Sequence, residues 1–177
     1  MNRISPQCNR MAAAATEYCE LIDGFGGLGY ENTWMERLGK MLPRLHVAVI
    51  ALVPSREIYN PYRFPDDDER CELYMRLHHV LESDRTIKLA YGKSHLRQQS
   101  CDRLADDFTD MYFDLKFGLD LLESDTAQAI NVWQCSFYIH WGQHLMDAEC
   151  RLNAVGAGEK PLHLSGWSWP SLSFAGA

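Results

Sequence analysis

The sequence predicts an all-α protein, a bundle of about five helices followed by an irregular aromatic tail. Three observations carry this. Apolar residues recur at three-and-four spacing through most of the 177 residues, helix-starting residues stand ahead of those runs, and alternating strand-like patterns are almost missing. The first helix is expected from Met11 to Ile22, alanine-rich and halted by the glycine-rich link Asp23–Gly29. A second starts at Thr33, where Thr33 and Glu36 make a capping box, and its stripe Trp34, Leu38, Leu42, Leu45, Val49 and Leu52 faces a core. Pro43 lies inside that stripe and predicts a kink or break between Gly39 and Pro43. The element ends by Pro54.

A proline-rich connection, VPSREIYNPYRFPDDD, reads as extended loop. Asp66 to Asp68 then place negative charge at the start of a third helix, which runs through Leu73, Leu77 and Leu81 to about Ser83. Residues 84–100 read as loop with one helical turn. The fourth helix, Asp102 to Glu123, is apolar on two sides: Leu104, Phe108, Met111, Leu115, Leu119 and Leu122 on one, Phe113, Phe117 and Leu121 on the other. Such a helix is central. The fifth, Thr126 to Asn153, has the stripe Ile130, Trp133, Phe137, Trp141, Leu145, Ala148 and Leu152. Residues 1–153 thus form the bundle domain. Residues 154–177 form an extended tail whose Trp167, Trp169, Leu172 and Phe174 are expected to dock on the bundle, bridge a homodimer or meet a protein partner.

Composition removes several function classes. A hydrophobic fraction of 46% with 23% charged residues suits a single globular domain with its own core. A net charge of -7 without any Lys/Arg block excludes a phosphate-driven nucleic-acid binder. The N-terminus lacks the apolar run of a secretory signal, and the longest apolar stretch, His46 to Val53, is too short to span a bilayer. A cytoplasmic protein is expected. The six cysteines have no C-x-x-C pair, which predicts neither zinc knuckle nor redox dithiol, and most are expected to be buried, reduced thiols.

The chemistry lies in the last two helices. Asp107, Asp110 and Asp114 are spaced three and four apart, a row of carboxylates bordering an apolar strip. Carboxylates leaving water need a cation, a metal or several donors. On the next helix, His140 and His144 lie four apart with Asp147 three further on, all on one side. The short link Ser124–Thr126 predicts antiparallel packing, which brings imidazoles and carboxylates together.

The strings LADDFTDMYFDLKFGLDLL and FYIHWGQHLMDA resemble the paired signatures of a bacterial helical family catalogued as domain of unknown function 5063. The likeness covers most of the chain, from the first helix to about Leu152. It aligns the family pattern on Asp106, Asp107, Asp110, Tyr112, Asp114 and Gly118, and on Phe137, His140, Trp141, Gly142, His144, Asp147 and Ala148. Phe108 and Met111 stand where that pattern prefers Leu and Ile. The resemblance implies a helical fold and a polar motif, and no activity.

Two readings of the constellation stand side by side. In the first, Asp107, Asp110, Asp114, His140 and His144 form a satisfied hydrogen-bond network that fixes the register of two helices, in a protein serving as an interaction or adaptor module. In the alternative, His140 and His144 bind a divalent transition metal with oxygen ligands from Asp110, Asp114 or Asp147, a donor set suited to zinc, iron, manganese or nickel. H-E-x-x-H is missing, so no zinc protease is indicated. A magnesium pyrophosphohydrolase would need paired acidic motifs, which Glu69, Glu72, Asp107 and Asp110 match poorly, with no basic cluster to hold a triphosphate. Cys135 and Ser136 sit one turn before His140 without any mark of an activated nucleophile. No G-x-S-x-G elbow, phosphate loop or dinucleotide fingerprint occurs.

Overall fold

The computed structural model describes residues 5–24, 34–53 and 66–157. Among them the chain forms six helices and no strand. The first, α1, spans Pro6–Asp23, longer than its apolar pattern suggested because Ser5 caps it and Pro6 occupies the first turn, where its missing N–H costs nothing. Helix α2 spans Trp34–Ile50 and passes through Pro43 without a break. Gly39 and Pro43 are both exposed, so water can satisfy the carbonyl left without a donor, and Leu38, Leu42, Leu45 and Val49 are buried on either side. Burying four such side chains offsets the roughly 3 kcal/mol that an interior proline costs. Thr33 of the capping box, residues 25–29 of the glycine-rich link and residues 54–65 of the proline-rich connection lie outside the described residues.

Helix α3, Asp67–Ser83, is capped by Asp66, whose carboxylate accepts from the backbone N–H groups of Asp68 and Glu69. The stretch read as loop is instead helical at both ends. Asp84 accepts from the N–H groups of Thr86 and Ile87 to start α4, Arg85–Tyr91, which buries Ile87 and Tyr91 and stops at Gly92 with φ 60. Helix α5 then begins at His95 and runs to Leu122, well before the start expected at Asp102.

The remaining rod, α6, is continuous over residues 126–157 but changes pitch. It consists of an α-helical part Thr126–Ser136, a π-helical turn Phe137–Trp141 and a second α-helical part Gly142–Ala157. Asp125 caps its start. Its end corrects the expected tail boundary, because residues 154–157 are still helical and Val155 is buried. Trp167, Trp169 and Phe174 lie outside the described residues.

Helix α5 is central, packing on α1, α3, α4 and α6, while α2 closes the bundle against α1 and α6. Its double-sided apolar pattern has this cause. Close approach of α5 and α6 depends on Gly118: a Cβ there would meet the Trp133 indole at 2.0 Å. Trp133, fully buried, donates from Nε1 to the Leu115 carbonyl across the same gap. Among the described residues no helix is long and apolar enough to cross a membrane. The cysteines divide evenly: Cys8, Cys19 and Cys101 are buried, Cys71, Cys135 and Cys150 exposed, and all six are free thiols. Most had been expected inside. Exposed helix positions tolerate a small side chain of either character.

Candidate metal centre

The acidic row of α5 leaves water almost completely, with Asp107 5%, Asp110 8% and Asp114 8% exposed. Each has a charged or imidazole partner. His140 Nδ1 donates to Asp114 Oδ2 at 2.6 Å, and His144 Nδ1 donates to Asp107 Oδ1 at 2.9 Å. Position rises along α6 as it falls along α5, so the two helices run antiparallel, as the short link required. A carboxylate only accepts, so each imidazole carries its proton on Nδ1 and, in the neutral ring, presents the lone pair of Nε2 on its far side.

Those far sides converge. His144 Nε2 stands 3.3 Å and His140 Nε2 3.8 Å from one atom, Asp110 Oδ2. One donor atom from each of Asp110, His140 and His144 lies within 4.8 Å of the others. A tetrahedral ion with bonds of 2.0–2.1 Å separates its ligands by about 3.3 Å, which the His144–Asp110 edge already matches, while the His140 imidazole would have to move inward to join the set. The other oxygen of Asp110 is occupied: Arg70 of α3 donates from Nε to Oδ1 at 2.7 Å and from Nη2 to Asp106 at 2.9 Å.

Charge in this seam is finely balanced. Burial opposes a charged His144, yet the hydrogen bond and charge of Asp107, with Asp110 and Asp106 behind it, outweigh burial and raise the imidazole pKa. Burial also raises Asp107, against the lowering by His144 and Arg151. The pair therefore retains a proton more readily than either group would in water. Arg151 Nε faces Asp107 Oδ2 at 3.6 Å, and both atoms are buried without a hydrogen-bond partner. That oxygen gains charge compensation without direct hydrogen bonding.

The π turn sets where His140 points. In the first part of α6 the buried side chains are Ala129, Asn131, Val132, Trp133, Gln134 and Ser136; in the second they are Trp141, Leu145, Ala148, Leu152 and Val155. At 100° per residue the centres of these two sets are about 120° apart, a slip of about one residue. One inserted residue absorbs it, which a π turn provides. Gly142 makes the turn feasible, since a Cβ would meet the Phe137 carbonyl oxygen at 2.3 Å. Within the turn, Phe137 packs edge-on to Trp141 at 4.9 Å, and the Trp141 indole donates to the Trp133 carbonyl.

Of the residues expected as ligands, Asp110, His140 and His144 are brought together. Asp114 bonds the Nδ1 side of His140, away from the converging atoms, and acts on the ring's orientation. Asp147 is absent from the three-residue group and acts on the seam through its charge, which raises Asp107. It lies a further turn along α6, past the level of Asp110. Glu69 and Glu72 are exposed, while Asp107 and Asp110 are paired with His144 and Arg70, so the acidic pairs of a pyrophosphohydrolase do not assemble. Arg70 was missed: a lone arginine after a run of acids carries no spacing signal toward a residue 40 positions away.

The profile of a family described as a domain of unknown function (DUF5063) matches residues 2–157, and the chain belongs to that family. Its fold is similar to the crystal structure of a Bacteroides fragilis protein, BF1032, with a TM-score of 0.65, 18% identity, and coverage of 85% of this chain and 92% of that one. That likeness speaks for the fold alone. No curated protein matches the sequence.

Proposed function

We propose that this helical protein binds a divalent first-row transition metal through His140 Nε2, His144 Nε2 and Asp110 Oδ2. One observation carries the reading. Two imidazoles from successive turns, each held at Nδ1 by its own carboxylate, direct their second nitrogens toward a single oxygen of a third carboxylate. Carboxylate–imidazole–metal relays have this form, the outer carboxylate fixing the tautomer and raising the basicity of the ligating nitrogen. A divalent ion placed between these three atoms would have its charge opposed by the Asp110 carboxylate and its coordination met by nitrogen and oxygen donors of a suitable kind. Two imidazoles and one carboxylate suit zinc, iron(II), manganese or nickel, and resemble the donor sets of catalytic rather than structural sites.

A second reading shares these contacts. The raised His144 pKa favours an imidazolium on Asp107, and a protonated ring supplies the cation itself. The seam is then a structural network, as in an interaction or adaptor module. Elemental analysis of the purified chain after dialysis against zinc, manganese or iron(II) decides between them. The metal reading expects about one ion per chain, retained on desalting and lost in His140→Ala and His144→Ala. A metal-free wild type whose histidine variants only melt lower leaves the network.

A further inference from the structure

We infer that the metal at Asp110, His140 and His144 keeps a solvent-facing coordination position open to a small monodentate donor, and that Arg70 keeps it open by restricting Asp110 to one oxygen. The inference rests on the metal reading and goes beyond it to what the ion does. Each of the three ligands can offer the ion only one atom. Nδ1 of His140 and of His144 is engaged by Asp114 and Asp107, and Oδ1 of Asp110 by the Arg70 Nε–H. A carboxylate whose second oxygen accepts a charge-assisted bond at 2.7 Å does not swing to chelate an ion with both. Three atoms leave a tetrahedral ion one position short and a six-coordinate ion three short.

The imidazole ligands are in part accessible to solvent. The Asp110 side chain is 10% exposed, whereas those of His140 and His144 are 31% and 21% exposed and that of Arg70 is 34% exposed. The carboxylate is thus the least accessible of the three ligands, and an incoming donor would approach from the side of the more exposed imidazoles. Water occupies such a position by default, and the ligands it exchanges for are small oxygen or nitrogen donors, with a single negative charge favoured by the ion and by the adjacent guanidinium. Arg70 touches neither ion nor incoming ligand here. It is a positioning residue, acting through Asp110.

The test uses the full chain loaded with cobalt(II), whose visible bands report coordination number, and titrates sodium azide as the incoming donor. The expected result is a saturable band shift in the wild type and at least about a tenfold weaker azide response in Arg70→Gln at saturating cobalt. Circular dichroism establishes that the variant is folded, and Arg70→Lys, which keeps the charge but loses the fork, should fall between the two. Cobalt bands unmoved by azide in the wild type overturn the open position while leaving the metal reading intact. Equal azide response in folded Arg70→Gln overturns the role of Arg70. A wild type that takes up no cobalt overturns both the inference and the metal reading.

Discussion

Among the described residues two seams contain His–Asp pairs, and in one of them the second ring nitrogens converge on a shared carboxylate oxygen. Between α3 and α5, His78 Nε2 lies 2.8 Å from Asp102, with Gln98 at 3.2 Å from the same nitrogen and Glu82 at 3.9 Å from Nδ1. Both faces of that ring meet groups of their own, and Asp102 is about half exposed. Between α5 and α6 the pairs are as short, yet the second nitrogens of two rings share one buried oxygen. A histidine–carboxylate hydrogen bond is ordinary; what distinguishes the second seam is that the remaining ring nitrogens converge on one buried carboxylate oxygen.

The largest expected difference between the seams is in metal retention. Loss of either α6 imidazole removes one of three ligands and should abolish stoichiometric binding by equilibrium dialysis, whereas His78→Ala should leave occupancy unchanged. Equal losses in both seams would mean that the ions counted are scattered over surface histidines. Next in size, Asp107→Asn and Asp114→Asn keep the ligands but weaken their orientation, and each should lower affinity 10–100-fold by competition against a chelating dye. Unchanged affinity in both would remove the relay from the description. Gly142→Ala should act similarly, since its Cβ meets the Phe137 carbonyl and shifts the turn that carries His140. A cobalt spectrum identical to wild type in that variant would show the π turn to be irrelevant to the site.

Acidity separates the seams further. Because the folded His144 pKa is raised, its contribution to the stability of the metal-free chain is complete below the unfolded value of about 6.5 and is lost as pH rises through the raised value. Asp107, also raised, acts in the same sense at lower pH. Metal needs both rings neutral, so affinity should climb over the same range in which the metal-free chain weakens. Urea midpoints of metal-free and loaded protein across neutral pH check this; a metal-free midpoint that rises with pH through the imidazole range contradicts the His144 assignment. The smallest expected effect is the stability cost of His78→Ala, below about 1 kcal/mol because its partner is half exposed.

Much of this was legible in the chain. The all-α class, the central two-sided helix, the antiparallel last pair and the meeting of Asp107, Asp110 and Asp114 with His140 and His144 all followed from local periodicity and one short link. Helix α4 carries its own local signal: Asp84 before Thr86 and Ile87, apolar Ile87 and Tyr91 four apart, and Gly92 at the end are a cap, a stripe and a stop. The unbroken passage through Pro43 was not legible, because propensity reports the cost of proline and not the burial of its neighbours.

The sequence by itself determined the helices and the faces on which their polar residues stand, since hydrogen bonding four residues back and a turn of 3.6 residues are local properties of the backbone. Tertiary structure alone decided which atom of each group points inward. It turned both second ring nitrogens toward Asp110 Oδ2, set Asp114 on the Nδ1 side of His140, left Asp147 to act through its charge on Asp107, brought Arg70 across from α3, and inserted a π turn between two buried stripes. Those choices depend on distances of a few ångströms between side chains 26 to 40 residues apart. Such distances are set by how whole helices pack and slide against one another, to which no local pattern refers.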